Sequence, residues 1–262
     1  KMIEQTKKHS KIIENIDVGG PTMVRAAAKN YNDVTVITSV DHYSGLINEL
    51  KKNKGSTSLK FREKMSRLAF GETAYYDAVI SNYFNKFNNI NFPKRKILYT
   101  NLIENLRYGE NPHQIGAFYS QNMKNKLEQL HGKTLSYNNY SDIFAALTIS
   151  KSLPKNTGTA IVKHGNPCGV SALKNNLDSY KSALESDPIS AFGGIISCNY
   201  KITQKLALIL NKIFLEVIVA DGFEKKALKI LKSKKNLRLI DSSKITFNEV
   251  WKFNSVDDFT LI

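Results

Sequence analysis

The chain has 262 residues, of which 42% are hydrophobic. That is more than one domain usually takes, so two compact units are expected, each able to bury a core. No run approaches the roughly 20 apolar residues of a membrane span, the opening stretch Lys1–His9 lacks the apolar centre of a secretion signal, and two cysteines, Cys168 and Cys198, are too few for a disulfide framework. Membrane insertion, export and a disulfide scaffold are therefore not expected, and the cytoplasm is the expected compartment.

Lys and Arg number 38 against 23 acidic residues, a net charge of +15. Such an excess fits either a phosphate- or carboxylate-rich partner or a solvated surface. The lysines are scattered along helical stretches, as from Lys225 to Lys235, which favours the surface.

Taken in chain order, Asp17-Val18-Gly19-Gly20-Pro21 leads into a helix through Val24–Lys29, whose N-terminal amides would favour an anion. A glycine pair alone marks a turn more often than a site. Val34-Thr35-Val36-Ile37 reads as a buried strand, followed by helices near Tyr43–Lys52 and Ser58–Phe84 with Gly71 a possible break. A polar segment from Asn85 to Asn101 then reads as a connection, dividing the chain into domains 1–100 and 101–262.

The second part alternates strands and helices. Strands are expected at Ala160–Val162, Gly194–Ser197, Val217–Val219 and Leu237–Ile240, and helices at Leu177–Glu185, Thr203–Phe214 and Glu224–Leu231, an α/β pattern. Ligands in such sheets gather outside the carboxyl ends of strands. That rule marks the loop Lys163-His164-Gly165-Asn166-Pro167-Cys168-Gly169, and also Ala220-Asp221-Gly222.

His164 can take or give a proton near neutral pH, and Lys163 offers a cation for developing negative charge. The same pair reads equally as a strand-ending turn with a solvated Lys and a packed His. Cys168 has no base beside it in the sequence, which a thiol nucleophile would require. For zinc, the deaminase signature needs a second Cys where Ser171 stands and an upstream His-x-Glu that is missing, so no metal is expected. Arg107-Tyr108-Gly109-Glu110-Asn111-Pro112-His113-Gln114 gathers polar groups around an Arg suited to phosphate, or forms an ordinary charged turn. Asp187-Pro188-Ile189-Ser190-Ala191-Phe192-Gly193-Gly194 would let a ligand approach the backbone.

These strings, in order with Thr73-Ala74-Tyr75-Tyr76-Asp77 and Leu135-Ser136-Tyr137-Asn138-Asn139, resemble the bifunctional family with aminoimidazole carboxamide ribonucleotide (AICAR) formyltransferase and inosine monophosphate (IMP) cyclohydrolase activities. The resemblance implies formyl transfer from the co-substrate 10-formyltetrahydrofolate to AICAR, giving FAICAR, and cyclisation of FAICAR to IMP with loss of water. It implies that His164 handles the proton of the attacking amine, that Lys163 stabilises the transition state, and that Arg107, Tyr108, Gly193, Glu216 and Asn139 hold the nucleotide. For the cyclohydrolase it implies a catalytic Lys29 and nucleotide-binding backbone at Asp17 and Val18.

The implied folds are a partial three-layer α/β (methylglyoxal-synthase-like) domain and a cytidine-deaminase-like α/β domain lacking zinc. A homodimer is implied too. The match implies an excerpt: the end of the cyclohydrolase domain and the first half of the formyltransferase domain, stopping after Trp251 short of the half that supplies folate contacts.

Two alternatives stay open. One is a basic nucleic-acid-binding protein, suggested by the charge with 12 Tyr and 13 Phe, although no basic cluster interleaved with aromatics appears. The other is a catalytically incomplete relative.

Overall fold

The computed structural model describes residues 5–121, 127–245, 253–256 and 259–261. Trp251 lies outside them. The chain divides into two compact units, Lys1–Tyr99 and Thr100–Ile262.

The described part of the first unit is helical: α1 (His9–Glu14), α2 (Gly19–Lys29), a 3-10 turn (Val40–His42), α3 (Tyr43–Lys52) and α4 (Leu59–Phe87). Ser58 caps α4 by accepting from the Phe61 amide, and Glu49 of α3 accepts from both the amide and the hydroxyl of Ser58 at 3.0 and 2.8 Å. Those bonds hold the Glu49 carboxyl below its ordinary range. Buried Met65, Ala69 and Thr73 stripe α4, and Ser66 Oγ donates to the Ala28 carbonyl at 2.7 Å, fixing α2 on α4. At the far end His9 stacks on Phe87 with ring centroids 3.8 Å apart.

Two expectations fail here. Val34–Ile37 form no strand and are only partly covered, with Val34 39% exposed. A strand needs a hydrogen-bonding neighbour, and no described residue of this unit is in a strand. The segment is held by side chains instead, Thr35 Oγ1 to Thr57 Oγ1 at 2.7 Å. Nor does Gly71 break α4, which runs unbroken through 29 residues. One glycine costs about 1 kcal/mol in a helix, too little to offset the continuous face that packs on α2.

The second unit holds a six-stranded sheet, in spatial order β3 (Glu128–His131), β8 (Arg238–Asp241), β7 (Val217–Ala220), β6 (Ile195–Cys198), β4 (Gly158–Lys163), β5 (Asn166–Ala172). β6, β7 and β8 are parallel, while β3, β4 and β5 pair antiparallel to their neighbours. Alternate residues bury against opposite faces: Val162, Ile195, Val217 and Val219 pack with Ile143 and Leu147 of α5 (Tyr137–Ser152), and Ile161, Ile196, Cys198 and Ile218 pack with Tyr180 of α6 (Asn176–Ser186), Leu206 of α7 (Gln204–Leu210) and Leu231 of α8 (Lys225–Leu231). Strands covered on both faces read as continuous apolar runs. β1 (Asn101–Leu106) and β2 (Gly116–Ser120) form a separate antiparallel hairpin, and β9 (Asn254–Val256) pairs with β10 (Phe259–Leu261).

The segment from Lys163 to Gly169 is not the open loop expected. β4 extends through Lys163, and Lys163 faces Asn166 across a two-residue turn made of His164 and Gly165, with φ of 52° and 74°. Two consecutive positive φ values match the type I′ turn, which suits the twist of a hairpin. Pro167 is tolerated because β5 is the edge strand. At Gly169 a Cβ would overlap the Ala183 carbonyl of α6, so only glycine permits this approach. The helix expected through Phe214 stops at Leu210, and Phe214 leaves the helical path to accept from the Gly193 amide at 2.9 Å.

Candidate functional site

Because β4 runs antiparallel to β6, its carboxyl end lies beside the amino ends of β6, β7 and β8. The candidates Lys163, Gly193 and Glu216, with Arg238, thus lie at one end of the sheet, where Glu216 donates its amide to the Gly194 carbonyl at 3.1 Å and Arg238 donates its own to the Glu216 carbonyl at 3.1 Å. Ala220-Asp221-Gly222 sits at the opposite end. There Asp221 accepts from Lys151 and, at 2.9 Å, from Ser242, so the carboxylate of the second loop marked by strand polarity is engaged by its own neighbours.

The start of α5 builds the core of the site. Ser136 caps the helix by accepting from the Asn139 amide at 3.2 Å, and Asn139 Oδ1 accepts in return from the Ser136 amide at 3.2 Å. This reciprocal box fixes the Asn139 side chain. Its Nδ2 therefore points away from the box and donates to Glu216 Oε2 at 3.0 Å. The same Glu216 oxygen lies 3.8 Å from an Arg238 guanidinium nitrogen, and Arg238 Nε donates to the Thr134 carbonyl at 3.2 Å. Burial, opposed by Glu216 and reinforced by the charge of Arg107, holds the Arg238 guanidinium below its ordinary range.

Arg107 and Tyr108 follow β1, with the Arg107 guanidinium 5.7 Å from the Tyr108 ring centroid. Arg107, Tyr108, Asn139 and Glu216 line one cavity of about 500 Å³, together with Lys133, Lys234, Lys235, Arg238 and the ring of Phe214. Five cations thus face a single lining carboxylate. Lys234 is held in place by donating to the Ile213 carbonyl at 2.6 Å, and burial pulls its ammonium below the usual range. A cationic cavity with partly desolvated charges suits a phosphorylated or carboxylated ligand.

Lys163, His164 and Gly193 do not line the cavity. They connect to it through two rings: Lys163 Nζ donates to the Phe192 carbonyl at 2.8 Å, Phe192 and Phe214 have ring centroids 5.3 Å apart, and the Gly193 amide bonds the Phe214 carbonyl. The turn is fixed further by Asn166 Nδ2 donating to the His164 carbonyl at 3.0 Å and by the Gly165 amide donating to Asp142 Oδ1 at 2.6 Å. The Cys168 thiol is pushed up, first by burial and then by Asp187, the opposite of what an activated nucleophile needs. Among the described residues no group of three His, Cys, Asp or Glu could hold a metal, and no helix is long and apolar enough to cross a membrane.

In the first unit, Asp17 Oδ1 accepts from the Gly20 amide at 3.0 Å and the Asp17 amide donates to the Tyr76 hydroxyl at 2.7 Å. Val18 is 73% exposed, and Lys29 is exposed at the last turn of α2. The helix between them separates their backbones by about 15 Å.

Sequence reasoning missed Lys133, Lys234, Lys235 and Arg238. Lys234 and Lys235 stood within a run that looked like compositional bias, Lys133 stood alone, and Arg238 opens a strand whose apolar residues drew the reading.

The family model described as AICARFT/IMPCHase bienzyme matches residues 27–262. The chain is 45% identical over 243 residues to a protein of Acetivibrio thermocellus named bifunctional purine biosynthesis protein PurH, covering 90% of this chain and 47% of that one. Proteins of the same name from a Thermoanaerobacter species and from Prochlorococcus marinus are 46% and 43% identical, over 87% and 93% of this chain and 45% and 49% of theirs. The chain spans about half the length of the curated relatives it matches.

Proposed function

Since the chain belongs to the AICARFT/IMPCHase bienzyme family, we propose that it serves de novo purine biosynthesis by transferring a formyl group from 10-formyltetrahydrofolate to AICAR and by cyclising the product FAICAR to IMP. The observation that carries the formyl-transfer reading is the cationic cavity lined by Arg107, Tyr108, Asn139 and Glu216, joined through Phe192 and Phe214 to the hairpin bearing Lys163 and His164.

In this reading the nucleotide occupies the cavity. Arg107 and the neighbouring cations take the phosphate, Asn139 and Glu216 orient the base and ribose, and the Gly193 backbone, outside the cavity, meets the nucleotide where it reaches towards the hairpin. The amine nitrogen bonds the formyl carbon and loses a proton to His164, which raises the reactivity of a weak nucleophile. Lys163 offsets charge gathering on the formyl oxygen, and the C–N bond to the folate then breaks, the folate nitrogen taking up the proton that His164 accepted so that tetrahydrofolate leaves. Cys168 takes no part.

Cyclisation belongs to the first unit in this reading, with Lys29 catalytic and the Asp17–Val18 backbone holding the nucleotide. Ring closure onto a formyl group already in the same molecule needs chiefly the right geometry. The finer fold assignments follow the same reading: the first unit as part of a methylglyoxal-synthase-like α/β domain, the second as a cytidine-deaminase-like domain without zinc. The natural setting is a cytoplasmic homodimer, with no nucleic-acid or membrane partner.

The test is His164→Ala in the full-length protein. Formyl transfer falls by about 10²- to 10⁴-fold, the range of a lost general base, while AICAR binding stays measurable. Full activity in this variant would remove the role given to His164.

A further inference from the structure

We propose that Asp142 is a positioning residue for His164. This rests on the reading that His164 is the proton acceptor. The turn that carries His164 is only two residues long, and both residues hold positive φ, 52° at His164 and 74° at Gly165. For a residue with a Cβ the left-handed region is uncommon and needs support from its surroundings. In a two-residue hairpin the ladder closes between the flanking residues, here Lys163 and Asn166, and the amide of Gly165 is left outside the strand pairing. β5 is the edge strand, so among the described residues no further strand braces the tip.

Asp142 supplies the missing partner. It projects from the second turn of α5, and its Oδ1 accepts from the Gly165 amide at 2.6 Å. It is half-buried, with Ile143, the next residue of α5, fully buried in the core against β4. The carboxylate thus ties the hairpin tip to a helix that cannot shift without disturbing the core.

The same helix carries the other ties of the site. Asn138 Nδ2 donates to the Glu110 carbonyl at 3.2 Å, Asn139 Nδ2 to Glu216 at 3.0 Å, and the Tyr140 hydroxyl to Glu104 of β1 at 2.6 Å. α5 therefore sets the Arg107–Tyr108 segment, Glu216 and the His164 turn against one rigid element. Asp142 is the member of this set that acts on the group moving the proton. Losing its bond frees the imidazole to leave its working position, while the cavity keeps its own ties.

The experiment compares Asp142→Ala, Asp142→Asn and His164→Ala in the full-length protein, reading kcat and KM for AICAR in formyl transfer together with amide hydrogen exchange across residues 163–166. Asp142→Ala lowers kcat about tenfold or more, leaves KM for AICAR within about threefold, and speeds exchange at Gly165; these sizes follow from losing orientation without losing ligand contacts. Asp142→Asn retains an oxygen acceptor for the Gly165 amide and restores most of kcat and the slow exchange. Unchanged kcat in Asp142→Ala beside an inactive His164→Ala overturns the positioning role and leaves the reading of His164 standing. An asparagine variant as slow as the alanine one also overturns it, because the amide acceptor would then not be what matters. An active His164→Ala removes the reading on which the inference rests, whatever Asp142 does.

Discussion

In the second unit the candidate residues are tied to one another across long stretches of chain, Asn139 to Glu216 over 77 positions and Gly165 to Asp142 over 23, whereas in the first unit Asp17, Val18 and Lys29 flank a single helix and stand largely in solvent. The only described long-range tie among those three is the Asp17 amide on Tyr76. The second unit thus presets its candidate groups through its own folding, while the first places Asp17–Val18 and Lys29 at opposite ends of one helix.

The sharpest way to break this contrast is at Asn139. Its amide serves the cap of α5 and Glu216 at once, so Asn139→Ala is expected to lower the unfolding free energy by about 2–4 kcal/mol, a lost cap plus a hydrogen bond to a charged group. Denaturant titration reads this as a lower midpoint, and AICAR binding weakens in the same variant. A variant as stable as the wild type with unchanged binding would mean that the box and the Glu216 contact are ornamental.

A smaller effect is expected in the first unit, at Glu49. Its carboxyl lies below its ordinary value of 4.5, chiefly through the hydrogen bonds from Ser58. In the sign that follows, the unfolded chain binds the proton at higher pH than the folded one, so the contribution is complete above about pH 4.5 and is lost as pH falls through the folded value. Glu49→Gln removes this contribution at neutral pH and leaves stability at the acid end, where Glu49 is protonated in any case, nearly unchanged, so the acid limb becomes flatter. Acid-titrated thermal unfolding reads the difference, and identical acid limbs would show that the Ser58 contacts do not stabilise the charged form.

Much of the second unit was legible. Strands β6, β7 and β8 are short apolar runs buried on both faces, and the sequence marks each of them to within about one residue. The helix Tyr43–Lys52 falls where its pattern puts it. What stayed hidden was tertiary. Val34–Ile37 has the composition of a strand and lacks a described partner. β5 was hidden because Asn166, Pro167 and Gly169 are turn formers that an edge strand tolerates. α5 mixes Asn, Ser and Thr with its apolar residues and offers no clean stripe, although Ser136 and Asn139 already carried its capping signal. The polarity rule for ligand crevices marks both the Lys163 loop and Ala220–Gly222, and the structure puts them at opposite ends of the sheet, since one antiparallel strand reverses which end its carboxyl terminus occupies. The cavity cations Lys133, Lys234 and Arg238 come from opposite ends of the unit, and only β8 pairing with β3 and β7 brings them together.

The division between a cavity that binds and a hairpin that reacts is tested most directly by the Kd of AICAR for full-length Arg107→Ala and His164→Ala. The account predicts that Arg107→Ala loses at least about tenfold in affinity, the scale of one charge-assisted hydrogen bond, while His164→Ala binds within about threefold of the wild type. Unchanged binding in Arg107→Ala beside a large loss in His164→Ala would contradict it.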